Sequence, residues 1–184
     1  MKTFIVLGHD TPVTPFALDN LAGEGRMDLL ARCVNAAFLK SHGIREDTRL
    51  FLVLDDYITL RFEGPELGGI NPDERSIAAL ISKALNQHHE TEQKISNGFY
   101  ASIKSFEELL EEFDSVITLH ENGEDIVEAE MPEEPVFVLS DNQDFTAGEK
   151  KLLEDSMSVS LGPEVLHTDH SITVAQNFLD RGMK

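Results

Sequence analysis

The run Pro135-Val-Phe-Val-Leu139 is apolar at successive positions rather than alternate ones. That pattern restricts the sheet this chain can build. A strand with one face in water alternates, whereas a strand that is apolar throughout must be covered on both faces, as in parallel sheets flanked by helices. The run ends at Ser140, a small polar residue. Some twenty positions on comes Leu161-Gly-Pro-Glu-Val-Leu-His-Thr-Asp-His-Ser-Ile-Thr-Val-Ala-Gln-Asn177, in which Gly162-Pro163 and a polar patch open an apolar helix. Strand ends of this kind gather backbone donors and small side chains where open α/β sheets bind ligands. A ligand site is expected here.

The rest of the chain supports that class. Residues 2–8 read as a buried strand, followed by a loop from His9 to Gly25. From Arg26 to Ser41, Leu29, Leu30, Cys33, Val34, Ala37 and Phe38 form one apolar helix face, with Gly43 as its stop. Leu50–Leu54 and Tyr57–Phe62 read as strands joined in a hairpin at Asp55-Asp56. Asn71-Pro-Asp-Glu74 predicts a helix start, with Asn71 at the N-cap and Glu74 closing a capping box, and the helix runs to Leu85. Gln87 to Asn97 reads as an exposed loop, Gly98–Ile103 as a strand, Phe106–Phe113 as an acidic helix and Val116–Leu119 as a strand. Glu121–Glu134 reads as loop or hairpin. Thr146 to Glu149 forms a second capping box for a helix to Asp155, Ser158–Leu161 is a strand, and Ile172–Leu179 is the last helix, with Asp169 as its cap. Alternating strands and helices predict one α/β domain over residues 1–184, with a mostly parallel sheet flanked by helices.

Charge narrows the partners. A net charge of −19 opposes indiscriminate binding to nucleic acid or anionic membrane. The mean conceals an asymmetry, because twelve acidic residues fall between Glu107 and Glu134 while six of the seven arginines fall between Arg26 and Arg75. A solvated acidic face with scattered arginines explains this, and so does a polyanion-reading first half. No stretch is long and apolar enough to span a bilayer, and the first eight residues are too short for a signal-peptide core. The single cysteine, Cys33, has no disulfide partner and sits on the apolar helix face, as expected of a core residue in a reducing cytoplasm.

The usual chemical signatures are missing: there is no G-x-G-x-x-G, P-loop or G-x-S-x-G. His167, Asp169 and His170 are metal-ligand types, yet a site needs three or four converging ligands, and only His9-Asp10 or His120-Glu121 brought in by the fold could complete one. The other reading has these residues capping the last helix and bonding nearby loops. Leu139-Ser140 and Leu161-Gly162 are either plain strand ends or main-chain groups that hold a ligand. Arg26, Arg32, Arg45, Arg49 and Arg75 are either surface charges or guanidinium forks for phosphate.

Six blocks then recur in order over nearly the whole length: Gly25-Arg-Met-Asp28 with Arg32-Cys-Val-Asn-Ala-Ala-Phe38; Ser41-His-Gly-Ile-Arg-Glu-Asp47; Asn71-Pro-Asp-Glu-Arg-Ser76; Phe137-Val-Leu-Ser-Asp141 with Asp144-Phe145; Leu161-Gly-Pro163 with Leu166-His-Thr-Asp-His170; and Asn177-Phe-Leu-Asp180. In these the chain resembles the archaeal-type tRNA pseudouridine-N1 methyltransferases and their bacterial relatives, in the SPOUT superfamily. The resemblance implies a deep trefoil knot near the C-terminus, a homodimer, and S-adenosylmethionine as cofactor. Carried over by position, cofactor contacts fall at Leu139, Ser140, Leu161, Gly162, Leu166, His167, Ser171 and Ile172. The implied reaction moves a methyl group to N1 of a pseudouridine in the tRNA T-loop, with Asp169 or His167 expected to accept the N1 proton unless it is lost to water. Arg26, Arg32 and Arg45 would grip RNA phosphates, from the same subunit or its partner. No metal and no membrane are implied. Two rivals remain: a catalytically inactive cofactor-binding or RNA-interaction module of the same fold, and a metal-dependent hydrolase built on His167, Asp169 and His170.

Overall fold

Residues Phe4 to Leu7 lose almost all contact with solvent, and the covering comes from both sides of one strand. Phe4 and Val6 face one apolar cluster while Ile5 and Leu7 face another, because successive side chains leave a strand in opposite directions. This strand, β1 (Lys2–Gly8), is central to an eight-stranded sheet in a computed structural model that describes residues 1–86 and 90–182. The other elements are α1 (Met27–Phe38), β2 (Leu39–Lys40), β3 (Gly43–Ile44), β4 (Thr48–Leu54), β5 (Ile58–Glu63), α2 (Glu74–Ala84), β6 (Gln93–Ser96), β7 (Phe99–Ile103), α3 (Phe106–Leu110), β8 (Ile117–Asp125), β9 (Val136–Ser140), α4 (Ala147–Leu152), β10 (Met157–Ser160) and α5 (Thr168–Asp180).

The sheet order is β10-β8-β9-β1-β4-β5-β7-β6. Its first five strands are mutually parallel, and β5, β7 and β6 add an antiparallel end. The apolar run singled out in the sequence is β9, paired with β1 from Thr3↔Val136 to Leu7↔Ser140 and covered on both faces. Helices α1, α2 and α5 pack on the Phe4 face, and α3 with Leu153 just after α4 covers the Ile5 face. Aromatic stacking ties the layers together, with Phe4–Phe137 centroids 5.4 Å apart and Phe62–Phe99 4.3 Å apart. Such pairs add about 0.5–1.5 kcal/mol beyond the area they bury.

Several boundaries differ from expectation. Asn71 is not the N-cap of α2. Asp73 is, its carboxylate accepting the Ser76 N–H at 2.8 Å, because Pro72 holds the chain extended for one more residue. Gly43 does not stop α1. The helix ends at Phe38 and the chain reverses through the β2–β3 ladder, where Gly43 takes φ 154°. Within Gln87–Asn97, β6 forms an edge strand on β7, and the expectation for Gln87 to His89 lies outside the described residues. Strand β8 runs to Asp125 instead of stopping at Leu119. Its register with β10 shifts between Ser158 and Val159, opposite Gly123, where an added Cβ would sit 2.7 Å from the Ser158 and Val159 backbone. The acidic helix α3 is shorter than expected, and α5 begins four residues earlier. The Asp55-Asp56 hairpin and the Thr146 capping box are both present.

Candidate functional site

The chain leaves β10 at one edge of the sheet and returns to its middle, where α5 starts. Thr168 at the first turn donates its hydroxyl to Ser140 O at 2.6 Å and to Asp141 O at 3.2 Å. This places the ends of β9 and β10 and the N-terminus of α5 together, as the sequence suggested. Leu161, Gly162, Leu166 and Ser171 line one small cleft with Leu119 and His120. Its floor is main chain: Gly162 N–H donates to Ser160 Oγ at 3.2 Å, and Ser160 Oγ–H reaches Gly162 O at 2.9 Å. Gly162 adopts φ 141°, and an added Cβ there would meet no heavy atom within 4 Å. An open, side-chain-free strip beside a polar turn is what a ligand lying against backbone requires. Leu139, Ser140 and Ile172 are not in its lining: Leu139 is buried, Ser140 is partly exposed, and Ile172 lies fully in the core. The cleft encloses about 80 Å³, far below the roughly 300–1,000 Å³ of ordinary small-molecule sites. One chain therefore supplies only part of a cofactor-sized enclosure.

Asp169 does not cap α5. His167 occupies the N-cap position without a side-chain bond, exposed, its ring crossing that of His170 at 5.8 Å. Asp169, in the first turn, is 7 % exposed and turned towards Arg32 of α1. Its Oδ2 accepts from Arg32 Nε at 3.2 Å, while its Oδ1 is buried with no hydrogen-bond partner among the described residues. His170 Nε2 stands 3.8 Å from Oδ2, and among the described residues no three His, Cys, Asp or Glu groups are placed to hold a metal ion.

The predicted arginines are committed to carboxylates. Arg26 opens α1 in a left-handed conformation (φ 58°), directly after Gly25 at φ 55°, where a Cβ would lie 2.4 Å from Asp10 O. That bend aims its fork at Asp28, with Nε to Oδ1 at 2.9 Å and Nη2 to Oδ2 at 3.1 Å. Arg32 Nη1 reaches the same Asp28 at 3.0 Å and lies 3.7 Å from Glu74. Arg45 makes a two-pronged pair with Asp180 at 3.0 and 2.7 Å, which Lys2 also joins. Sequence reasoning assigned the site no role for Asp28 or Asn35. Their spacing from Arg32, at i−4 and i+3 on one helix, was the available signal.

Asp28 has its carboxyl lowered to about 2, chiefly by the Arg26 fork, against burial that raises it, with Arg32 adding to the fall. A depressed carboxyl stabilises the fold above its unfolded value of 3.8 and loses that contribution as pH falls through the folded value. The shift corresponds to about 2 kcal/mol. Asp28→Asn should lower the urea midpoint at pH 7 and flatten the acid limb between pH ~4 and ~2. Unfolding curves at pH 7, 4 and 2.5 measure it.

A larger cavity, about 800 Å³, opens on the α3–α4 side at the ends of β1 and β4. His9 lies in its wall, with Nδ1 3.0 Å from Asp141 and Nε2 3.1 Å from Glu149. Burial lowers the imidazole pKa, and the hydrogen bonds from the two carboxylates outweigh it and raise it. Asp10, Asp55, Asp56 and Glu107 also line this cavity, so it repels phosphate, and none of the residues expected to hold a cofactor faces it.

Comparison with known proteins fits this arrangement. The chain is 54 % identical over 191 residues to the tRNA (pseudouridine(54)-N(1))-methyltransferase of Haloferax volcanii, covering 98 % of this chain and 96 % of that one. It is 50 % identical to the protein of that name from Haloarcula marismortui, with the same coverage, and 45 % identical to that of Methanocorpusculum labreanum, covering 98 % and 97 %. The crystal structure of Archaeoglobus fulgidus Nep1 bound to S-adenosylhomocysteine has the same fold, at TM-score 0.72 and 11 % identity, over 98 % of this chain and 97 % of that one. The family described as "Putative SAM-dependent RNA methyltransferase" matches residues 1–183. The chain belongs to that family, the SAM-dependent RNA methyltransferases.

Proposed function

We propose that this chain methylates N1 of a pseudouridine in the T-loop of a tRNA, using S-adenosylmethionine. The observation that carries the reading is Asp169: a buried carboxylate with one oxygen fixed by Arg32 and the other without a partner among the described residues, two positions before Ser171 of the Gly162 cleft. When bound, S-adenosylmethionine supplies a sulfonium methyl group and leaves as S-adenosylhomocysteine. The main chain at Leu139, Ser140, Leu161 and Gly162, with Leu166, His167 and Ser171, would hold it, and Ile172 supports that turn from the core. Asp169 accepts the N1 proton at Oδ1, which leaves N1 with the electron pair it needs. His167, exposed at the N-cap, is the weaker candidate, because nothing orients its ring toward a substrate except the edge of His170.

A second copy of the chain completes the enclosure in this reading. Val165, 79 % exposed, and Leu166, 36 % exposed, flank the undersized cleft and would be covered by a homodimer partner. The path from β10 back to the start of α5 is the segment expected to be threaded as a knot. Arg26 and Arg45 would contact phosphate in a cytoplasmic tRNA, each exchanging part of a carboxylate pair for it, while Arg32 stays on Asp169.

Labelled methyl transfer to a T-loop hairpin carrying pseudouridine tests the reaction, with a uridine hairpin beside it. Label on the pseudouridine RNA alone is expected. S-adenosylhomocysteine affinity without any transfer would instead make the chain a cofactor-binding module.

A further inference from the structure

Three side chains outside the cofactor cleft meet between α1, α5 and the start of α2. Arg32, Asn35 and Asp169 line one open cleft of about 640 Å³ with Pro72, Glu74 and Thr173. Two of the three buried side-chain atoms that lack a hydrogen bond among the described residues are here: Asn35 Oδ1 and Asp169 Oδ1. Both are acceptors cut off from water, each a cost of about 1–3 kcal/mol or more for the charged group. The same lining holds a donor. Arg32 uses Nε on Asp169 and Nη1 on Asp28, and its Nη2 makes no hydrogen bond among the described residues.

Two unpartnered acceptors and one donor thus belong to the lining of a single cleft, and a ligand there would draw the two oxygens out of the positions in which they are buried. We propose that Asn35, Arg32 and Asp169 read the N1–H, C2=O, N3–H edge of pseudouridine, with Asn35 Oδ1 accepting N3–H and Arg32 Nη2 donating to O2. This rests on the methyl transfer proposed above and adds the residues that choose its base. Pseudouridine is joined to its ribose through carbon, so both ring nitrogens keep a hydrogen and that edge is donor, acceptor, donor. Uridine has its N1 in the glycosidic bond, and its free edge is acceptor, donor, acceptor, which sets carbonyls against the two buried oxygens. A site built to bond a polar group rejects the analogue lacking it because its own groups stay unpaired. Arg32 and Asn35 lie three apart on one helix face, about 5–6 Å between Cβ atoms, a spacing that one pyrimidine ring can bridge. Asn35 Nδ2 donates to Pro72 O at 3.2 Å, and a turn about its soft terminal torsion that gives up this bond would bring Oδ1 into the cleft.

The test compares hairpins bearing pseudouridine or 3-methylpseudouridine at one position, with the full-length protein and its Asn35→Ala variant. Wild type should lose roughly tenfold or more in kcat/KM on the 3-methyl base. Asn35→Ala should lose about as much on pseudouridine and treat the two bases within about threefold of each other. S-adenosylhomocysteine affinity should be unchanged in the variant, which separates the effect from unfolding. If wild type uses both bases equally, or the variant keeps the wild-type preference, the base-reading role is overturned while methyl transfer stands. If wild type transfers nothing to pseudouridine, the reaction and the role fall together.

Discussion

Asp169→Asn is expected to lower single-turnover methyl transfer by about 10²–10⁴-fold, the range for losing a positioned general base. Affinity for S-adenosylhomocysteine should stay within about twofold, because the side chain faces Arg32 and α1 rather than the Gly162 cleft. The amide preserves shape, and its oxygen can still accept from Arg32 Nε, so the packing between α1 and α5 survives. What disappears is the carboxylate charge, including that on Oδ1, which has no hydrogen-bond partner among the described residues. Rapid-quench transfer beside calorimetry separates the two quantities. A variant with normal transfer and a lowered urea midpoint would assign Asp169 to structure alone.

Gly162→Val should raise the dissociation constant for S-adenosylhomocysteine by roughly 100-fold or more, measured by calorimetry. Two causes add. At φ 141° a β-branched residue is strained, at about 1–3 kcal/mol, and the branch fills the open side of the main chain. Gly162→Ala carries the strain with less bulk, so it should fall between the two. Urea unfolding of both variants isolates the backbone strain, since the Cβ meets no protein atom. Undiminished affinity in the valine variant would remove the cofactor from this turn.

The sheet was legible because its signals are local. Successive apolar residues at Pro135–Leu139 marked β9, paired aspartates marked the β4–β5 turn at φ 49° each, and Thr146 with Glu149 marked α4. The errors lie where a neighbour distant in sequence decides. Strand β8 continues past Asn122-Gly123, a turn signal by composition, because β10 pairs with it on both sides, at Ile117-Thr118 and at Glu124-Asp125, and only glycine admits the close approach of Ser158 and Val159 between them. Asp169 read as a cap from its position before an apolar helix, yet Arg32, far earlier in the chain, draws it sideways into a buried pair. The arginines looked free for phosphate because Asp180, which holds Arg45, lies at the opposite end of the sequence. The glycine and the strand ends that the structure brings together were readable in the sequence; the electrostatics around them depended on tertiary partners.

The position of β1 in the middle of the sheet has a consequence for how the molecule is made. One flank of β1 is satisfied early by β4, but the other waits for β9, and Lys2 and Ala37 O meet their partners on α5 only when Asp180 and Gln176 arrive. During synthesis on the ribosome, the first strand thus presents a bare hydrogen-bonding rim until most of the polypeptide has emerged. Such a rim is a template for pairing between nascent chains. Slowing translation before the codons for residues 136–140 should therefore lower the yield of native protein more than the same pause placed after them.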